Sequence, residues 1–448
     1  MVKVITYGTY DLLHYGHIRL LERAKSLGDY LIVAVTADDF DKTRGKINVQ
    51  QSLMERVEAV RATGIADEII IEEYEGQKID DIKRYHIDIF TVGSDWEGKF
   101  DYLKEYCKVV YLDRTQGVSS SELRAEKRAI RLGLVGSSRL LIKHLQESSC
   151  VNGLEVAGIY TEDASLRRDG AEQGAVMFET LSALVEHSDA VYIVSHPAEH
   201  YAQVRSALEQ GKHVLCESPI ALEQAQYREL FALAEEKGLI LMETLKTAYA
   251  TAFNRLMLLL KSGKIGQVVS VDAVCTSLSA KHQKDAWDYD MDWNSICAWG
   301  PTAMLPVFEI LGVDYRKKSI VSKISDTAHR FDEFTKVDFL YDNAVASIRV
   351  GKGVKSEGEL VITGTNAYVY VPAPWWKTDY FEIRFENPAD NKRYFYQLDG
   401  EGIRNELVSF VKAIQKGAQD SCIERKISLA IADVIESYYK KVDLTELA

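Results

Sequence analysis

Paired cysteines are missing from this chain. Its six cysteines stand scattered at 107, 150, 216, 275, 297 and 422 with no C-x-x-C spacing, which excludes a disulfide framework and a zinc ribbon. No apolar run approaches the ~18 residues that a membrane-spanning helix needs. The first residues enter a strand pattern directly, without the basic and apolar stretches of a secretory leader, so no membrane span and a reducing cytoplasm are the expectations. Positive charge is in deficit: 54 Lys and Arg against 67 Asp and Glu leave a net charge of −13. A surface of that sign does not gather phosphate backbones, which excludes broad nucleic-acid binding. Any nucleotide must be held by a local site. Long Gly/Ser linkers are also lacking, so the domains are expected to pack on each other or on a partner copy.

What is present is an ordinary globular composition, 46% hydrophobic and 27% charged over 448 residues, long enough for two or three domains. Periodicity divides it at 1–128, 129–250 and 251–448. In the first stretch, strand patterns at 2–7, 30–36, 68–71, 87–92 and 109–112 alternate with helical ones, which predicts βαβ units around a parallel sheet. Gly8, Thr36, Gly93 and Arg114 fall at or just past strand ends, where such sheets bind ligands.

The most specific word is Gly8-Thr9-Tyr10-Asp11-Leu12-Leu13-His14-Tyr15-Gly16-His17. A strand that turns at glycine into a helix start gathers free backbone N–H groups and suits a phosphate. Two imidazoles three positions apart share one helix face. This decapeptide resembles the signature of the H-x-G-H nucleotidyltransferases. With Gly28-Asp29-Tyr30, Gly93 with Asp95-Trp96-Glu97-Gly98-Lys99-Phe100, and Arg114-Thr115-Gln116-Gly117-Val118-Ser119-Ser120, residues 1–128 resemble the glycerol-3-phosphate cytidylyltransferases within them. The resemblance implies CTP and a small polyol phosphate as substrates, with Mg²⁺ held at Asp11. It implies charge stabilisation by His14, His17, Lys46 and Arg114, and CTP contacts from Gly8, Thr9, Tyr10, Asp11, Gly16, Arg56, Asp95, Trp96, Thr115, Gly117, Val118, Ser119, Ser120 and Ser121. It gives the acceptor phosphate to Arg44 and Lys78. By charge alone 41–46 reads as a solvated loop, and Trp96 as either a base-stacking ring or a core edge. The family has an arginine where this chain has Gly64; Arg61, one turn earlier, is the available substitute.

From 130 a second doubly wound pattern runs, with strands at 131–135, 156–160, 190–195, 213–216 and 239–242. After about 250, strands alternate apolar and polar residues, as in Ala344-Val345-Ala346-Ser347-Ile348-Arg349-Val350, which predicts an antiparallel sheet with one face covered by helices. Helices at 404–414 and 427–440 return to cover it. The fold class expected for the whole chain is α/β: a Rossmann-like nucleotidyltransferase domain, a Rossmann dinucleotide-binding domain, and an α+β open-sheet domain.

The words Ser195-His196-Pro197-Ala198-Glu199-His200, Gly211 to Pro219, Gly263-Lys264-Ile265-Gly266 and Gly402-Ile403-Arg404-Asn405-Glu406 resemble the glucose–fructose oxidoreductase and inositol dehydrogenase family. That resemblance implies NAD(P)H as cofactor, held by Gly133, Gly136, Ser137, Ser138, Ser195, His196, Pro197, His200 and Glu217. The dinucleotide fingerprint is incomplete, with Ser138 and Leu141 in its second and third glycine places. Thr161-Glu162-Asp163 offers acids to a ribose and Arg167-Arg168 offers charge to a 2′-phosphate. The family's catalytic lysine is replaced by Ser218, and its later acid and histidine by Ala298 and Thr302. Lys246 becomes the first candidate for the proton donor that a carbonyl reduction needs, and Tyr249 the second. A surface or phosphate-binding lysine is the plain alternative for Lys246, as structural histidines are for His196 and His200. Two readings follow: a bifunctional maker of a CDP-polyol, active as a homodimer or larger homo-oligomer, or a cytidylyltransferase whose second half only binds or dimerises.

Overall fold

The computed structural model describes residues 1–447 except 38–48, 50, 75, 114–128, 139, 152, 279–292, 397, 399 and 419–420, and at Asp95 the backbone alone. The chain forms two compact units, Met1–Ala129 and Ile130–Ala448.

The first unit runs β1 (Lys3–Gly8), α1 (Tyr15–Lys25), β2 (Tyr30–Thr36), α2 (Leu53–Ala62), β3 (Glu68–Glu72), α3 (Gln77–Tyr85), β4 (Ile89–Gly93) and β5 (Lys108–Leu112). Among the described residues these strands form one parallel sheet of order β3-β2-β1-β4-β5. Successive side chains of a strand point to opposite faces. Val4, Leu31, Val33 and Val35 therefore enter the core on one side, while Ile5, Ile32 and Ala34 join Phe90 and Val92 on the other. The chain leaves β1 toward β2 and later returns to its other side with β4, so the crevice for a ligand opens between the carboxyl ends of β1 and β4.

The second unit begins with β6 (Ile130–Gly136), α4 (Leu141–Ser148), β7 (Leu154–Tyr160), α5 (Ala164–Glu172), α6 (Leu181–His187), β8 (Ala190–Val194), α7 (Pro197–Glu209), β9 (His213–Glu217), α8 (Gln224–Glu236) and β10 (Leu241–Thr244). Their sheet is parallel, of order β10-β9-β8-β6-β7, with the switch point between β6 and β8. Then come α9 (Lys246–Tyr249), α10 (Thr251–Lys261), β11 (Val268–Thr276), α11 (Ser295–Leu311), β12 (Lys317–Asp326), β13 (Phe331–Leu340), β14 (Val345–Gly351), β15 (Leu360–Gly364), β16 (Ala367–Val371), β17 (Tyr380–Phe385), β18 (Lys392–Phe395), α12 (Ile403–Lys416), α13 (Arg425–Lys440) and β19 (Leu444–Leu447).

The sheet they build is mixed, contrary to the antiparallel expectation. Most neighbours are antiparallel, but β11 runs parallel to β14 and β12 parallel to β19. Alternation within a strand reports which face is buried and says nothing of a neighbour's direction. Here the chain crosses over α11, and the meander β12-β13-β14 brings β14 back beside β11. One apolar core runs from Leu132 and Leu134 of β6 through Phe253 and Leu256 of α10 to Val271 of β11 and Ile348 of β14, so position 250 falls inside a continuous interior. Among the described residues no helix is long and apolar enough to cross a membrane.

Candidate functional site

Strand β1 ends at Gly8, and a side chain there would collide with the ring of Tyr10: a Cβ would lie 2.9 Å from its Cζ. The ring is 2% exposed and sits edge-on to His17 at 5.6 Å. Tyr10 thus packs its ring under the turn, away from the surface where a CTP contact from that ring is expected. Tyr10 and Leu12 have φ of 54° and 48°, a left-handed conformation that costs non-glycine residues energy and collects at functional loops. The loop is pinned across to the start of α2: Gln51 N–H donates to Asp11 Oδ1 at 3.0 Å, and Leu12 N–H donates to Gln51 Oε1 at 2.8 Å. Ser52 and Glu55 close a capping box on α2, which fixes where that helix starts.

On this frame His14 is the N-cap of α1, its Nδ1 accepting from Gly16 N–H at 3.0 Å. An acceptor Nδ1 leaves the proton of a neutral imidazole on Nε2, the form that donates to a phosphate oxygen. The His14 and His17 rings stack at 3.9 Å with 24° between their planes, so the H-x-G-H spacing does bring both to one face at a helix start. Thr9 is half-buried in the same turn.

Three expected ligand contacts are turned inward. Arg56 is fully buried, donating to the carbonyl oxygens of Thr9 at 2.7 Å, Thr36 at 2.9 Å and Gln51 at 3.2 Å. It ties the turn after β1 to the end of β2 and the start of α2, so it positions the site instead of touching CTP. Lys78 is 6% exposed and paired with the fully buried Glu72, its Nζ 4.5 Å above the Tyr7 ring; a charge so matched is not presented to an acceptor phosphate. Asp11 is 3% exposed and spends Oδ1 on the loop tie. Among the described residues no group of three His, Cys, Asp or Glu side chains is placed to hold a metal ion. Trp96 packs on Phe100 at 5.9 Å with Lys99 over its ring. Asp95 follows β4 in the short turn Ser94–Trp96. Arg44, Lys46, Arg114, Thr115, Gly117, Val118, Ser119, Ser120 and Ser121 lie outside the described residues.

In the second unit Gly136 ends β6 directly against β8. A Cβ there would lie 2.6 Å from Val194 Cγ2 and 2.7 Å from its carbonyl carbon and oxygen, so only glycine lets the two strands meet at the switch point. A Cβ on Gly133 would likewise strike Ser188 Oγ at 2.5 Å. Ser137 is half-buried beside Gly136. Ser138 replaces the second fingerprint glycine and closes the turn itself, its Oγ accepting from Leu140 N–H at 3.2 Å. The amides of Ser138 and Leu141 are engaged as well, donating to the carbonyl oxygens of Val194 at 3.4 Å and Ser138 at 2.9 Å. Across the crevice Ser195 is buried, and His196 caps α7, its Nδ1 accepting from Ala198 N–H at 3.3 Å. His196 and Pro197 border a small cleft that reaches Trp293, Cys297, Phe331 and Tyr439. A glycine-opened turn and a capped helix start at one switch point fit a dinucleotide.

His200, expected on the cofactor, is instead a strap. Fully buried, it sets its two ring nitrogens 2.7 Å from the carbonyl oxygen of Pro219 and 2.8 Å from that of Ser195. Burial lowers it to about 4, against the two carbonyl oxygens, which favour an N–H on each nitrogen, and the ring joins the ends of β8 and β9. Ser218 is also buried, its hydroxyl donating to Glu243 Oε1 at 2.5 Å.

The residues that sequence reading passed over lie around Lys246. Glu406 of α12 is fully buried and accepts from the Tyr192 hydroxyl; Thr244 Oγ1 stands 3.3 Å from the same hydroxyl. The His144 ring meets Tyr192 edge-on at 4.5 Å. Burial pushes Glu406 up to about 8, against its bond from Tyr192 and the opposing charge of Lys246. Glu217 at the end of β9 is also raised by burial and held down by Lys246. The half-buried ammonium thus stands beside two interior carboxyls. Tyr192 and Glu406 are 214 positions apart, and no local spacing signals such a pair. Tyr249 is buried, its hydroxyl 3.4 Å from the Glu243 carbonyl oxygen and from Ser421 Oγ, and serves packing.

Comparison with known proteins matches residues 5–126 to the cytidylyltransferase-like family and 130–245 to the oxidoreductase family with an NAD-binding Rossmann fold. The first unit is 48% identical over 130 residues to a glycerol-3-phosphate cytidylyltransferase of Bacillus spizizenii, a match covering 29% of this chain and 100% of that one. A Bacillus subtilis scyllo-inositol 2-dehydrogenase (NADP(+)) is 23% identical over 334 residues, covering 70% of this chain and 98% of that one. A solved 3-ketoreductase from Actinomadura kijaniata, in complex with NADP and TDP-benzene, aligns with 71% of this chain and 99% of its own at a TM-score of 0.63 and 19% identity.

Proposed function

Given that the chain belongs to the cytidylyltransferase-like family through its first unit and joins to it an oxidoreductase-family domain, we propose that it makes a CDP-polyol in two steps. The second unit reduces a small phosphorylated sugar to a polyol phosphate. The first then couples that product to CTP. One unit's product is the other's acceptor, which gives the fusion its chemical sense, and CDP-polyols of this kind feed teichoic-acid and capsule polymers. A homo-oligomer in the cytoplasm belongs to the same reading.

In the transfer, a phosphate oxygen of the polyol phosphate attacks the α-phosphorus of CTP in line. The bond from that phosphorus to the bridging oxygen breaks, and pyrophosphate leaves with the electron pair. Little covalent work falls to the protein; it positions donors against the growing negative charge. The stacked pair at the start of α1, 3.9 Å apart, is the observation that carries this reading, with His14 donating from Nε2 and the first-turn amides facing the same anion. Lys46 and Arg114, which lie outside the described residues, are proposed to join them, with the serines at 119–121 on the triphosphate. A magnesium ion carried on the triphosphate belongs to the same reading.

In the reduction, a bound dinucleotide would supply hydride chemistry to the sugar carbonyl, and Gly136, Ser137, Ser138 and His196 are the residues that would hold it. Lys246 is proposed to give the carbonyl oxygen its proton. A specific observation favours a second reading for this unit, a binding module without chemistry: Ser218, in place of the family lysine, is buried on Glu243.

The test is His17→Ala. Loss of one transition-state donor costs about 2.7–4 kcal/mol of barrier, so CDP-polyol formation is expected to fall about a hundredfold or more with an unchanged circular dichroism spectrum. Turnover near that of the unaltered protein refutes the assignment. Oxidation of NADH or NADPH by C3 to C5 sugar phosphates, abolished in Lys246→Ala, separates the two readings of the second unit.

A further inference from the structure

Resting on the reading of Lys246 as proton donor, we infer that Glu406 is a positioning residue that decides where its ammonium points: as a neutral acid it leaves Lys246 free to face the sugar carbonyl, and as a carboxylate it draws Lys246 inward into an ion pair. Helix α12 begins directly against Lys246. Gly402 caps it with φ of 83°, and a Cβ built there would lie 4.0 Å from Lys246 Cβ. Glu406 stands four residues further on, the spacing that puts two residues on one helix face. It is fully buried on a helix whose Ile403, Leu407 and Phe410 are equally buried. Packing there asks for an apolar side chain, and a carboxyl is costly unless its oxygens are bonded. Oε1 accepts from the Tyr192 hydroxyl, whereas Oε2 has no hydrogen bond among the described residues.

The first unit shows what the closed alternative looks like: Lys78, drawn onto the buried Glu72, is 6% exposed. Lys246 is half-buried and closes no such pair among the described residues, although its charge reaches Glu406, Glu217 and His144. The other groups around Glu406 come from several elements: Tyr192 of β8, Thr244 of β10, Tyr249 of α9, Glu217 at the end of β9, and the His144 ring of α4 edge-on to Tyr192. Burial lowers His144 to about 3 and raises both tyrosines, so these three keep one protonation state around neutrality. Glu406, raised by burial to about 8, does not. Glu217 is the remaining acid, raised in the same direction, and its own variant separates the two.

Brief labelling of the full-length protein with acetic anhydride between pH 7 and 9, without substrate, reads the pairing apart from the reaction. Mass spectrometry gives the rate at Lys246 against that at the exposed Lys264. Over this range a group that titrates at about 8 passes from about one-tenth to about nine-tenths ionised. The ratio of Lys246 to Lys264 is therefore expected to fall about threefold or more. Glu406→Gln keeps an oxygen for the Tyr192 hydroxyl and should hold the ratio level with an unchanged circular dichroism spectrum. The Tyr192 bond favours the ionised form of Glu406 and the Glu217 charge opposes it. Tyr192→Phe should thus move the midpoint up in pH, and Glu217→Gln should move it down with the fall retained; these opposed shifts decide the matter even if Glu406→Gln does not fold. A level ratio in the unaltered protein, or a fall that survives in Glu406→Gln, overturns the inference. Failure of the proton-donor reading would show separately, as NADH or NADPH oxidation that persists in Lys246→Ala.

Discussion

Arg56 and Glu406 both hold charge-bearing groups out of water, with opposite consequences for a substitution. The guanidinium of Arg56 reaches three carbonyl oxygens from one side chain, a task for a rigid fork that one ammonium cannot copy. Arg56→Lys is expected to leave at least two buried acceptors without a donor, at ~1–3 kcal/mol each. It should lower the urea midpoint of the first unit and cut transfer turnover more than tenfold, although the residue touches no substrate; an unshifted midpoint would contradict its role as a tie. Glu406 is the reverse case. Its folded carboxyl titrates at about 8 against an ordinary 4.5, so the native state keeps a proton that the unfolded state has lost. Its contribution is complete below pH 4.5 and drains away as pH rises to about 8, by up to about 1.4 kcal/mol per pH unit. His144, lowered by burial to about 3, acts at the other end: it is neutral when folded, and stability falls as pH drops below the ordinary 6.5. Glu406→Gln keeps an acceptor for Tyr192 and should flatten the decline between pH 5 and 8, raising the melting temperature at pH 8. A difference profile without slope would show that Glu406 ionises as readily as an exposed carboxyl.

At the scale of elements, the meeting of β6 and β8 is the tightest test of the second unit. Gly136→Ala places a methyl 2.6 Å from Val194 Cγ2 and against the Val194 carbonyl, backbone that cannot swing aside. The strands must part where the dinucleotide is proposed to sit, so NADH affinity is expected to fall at least tenfold along with the second unit's melting temperature; unaltered binding would place the cofactor elsewhere. Such elements differ in how far a sequence discloses them. Strand runs such as Leu31 to Val35 are apolar on both faces and announce a buried parallel sheet, and the H-x-G-H spacing announces two rings on one helix face, because both signals are local. Alternation in Ala344 to Val350 discloses a covered face but not that β14 lies parallel to β11, which depends on a crossover over α11. The inward turn of Arg56 and Lys78 is hidden for a similar reason. Their surroundings come from Thr9, Thr36 and Glu72, and the motif records the residue type without the direction of its side chain.

For the whole molecule, the division of the apolar interior is what matters. The cores around Ile5 and Val4 use residues of the first unit, and those around Leu132 and Val135 use residues of the second. Each unit therefore closes its own hydrophobic account, and a chain of that kind is expected to unfold in more than one step. The first unit has 129 residues, a size at which single domains commonly fold alone. Cutting between Ala129 and Ile130 should give two fragments that each melt cooperatively, at temperatures matching two transitions of the intact protein in calorimetry. The fragment 1–129 is expected to retain CDP-polyol formation from added polyol phosphate within about threefold, and 130–448 to retain NADH binding. If the first fragment were unfolded, or folded but inactive, residues beyond 129 would have to complete the transferase, and the fusion would be structural as well as metabolic. If both fragments work alone, the remaining advantage of fusion is proximity: the joined chain should convert sugar phosphate to CDP-polyol with a shorter lag than an equimolar mixture of the fragments, a comparison that stopped-flow release of pyrophosphate can make.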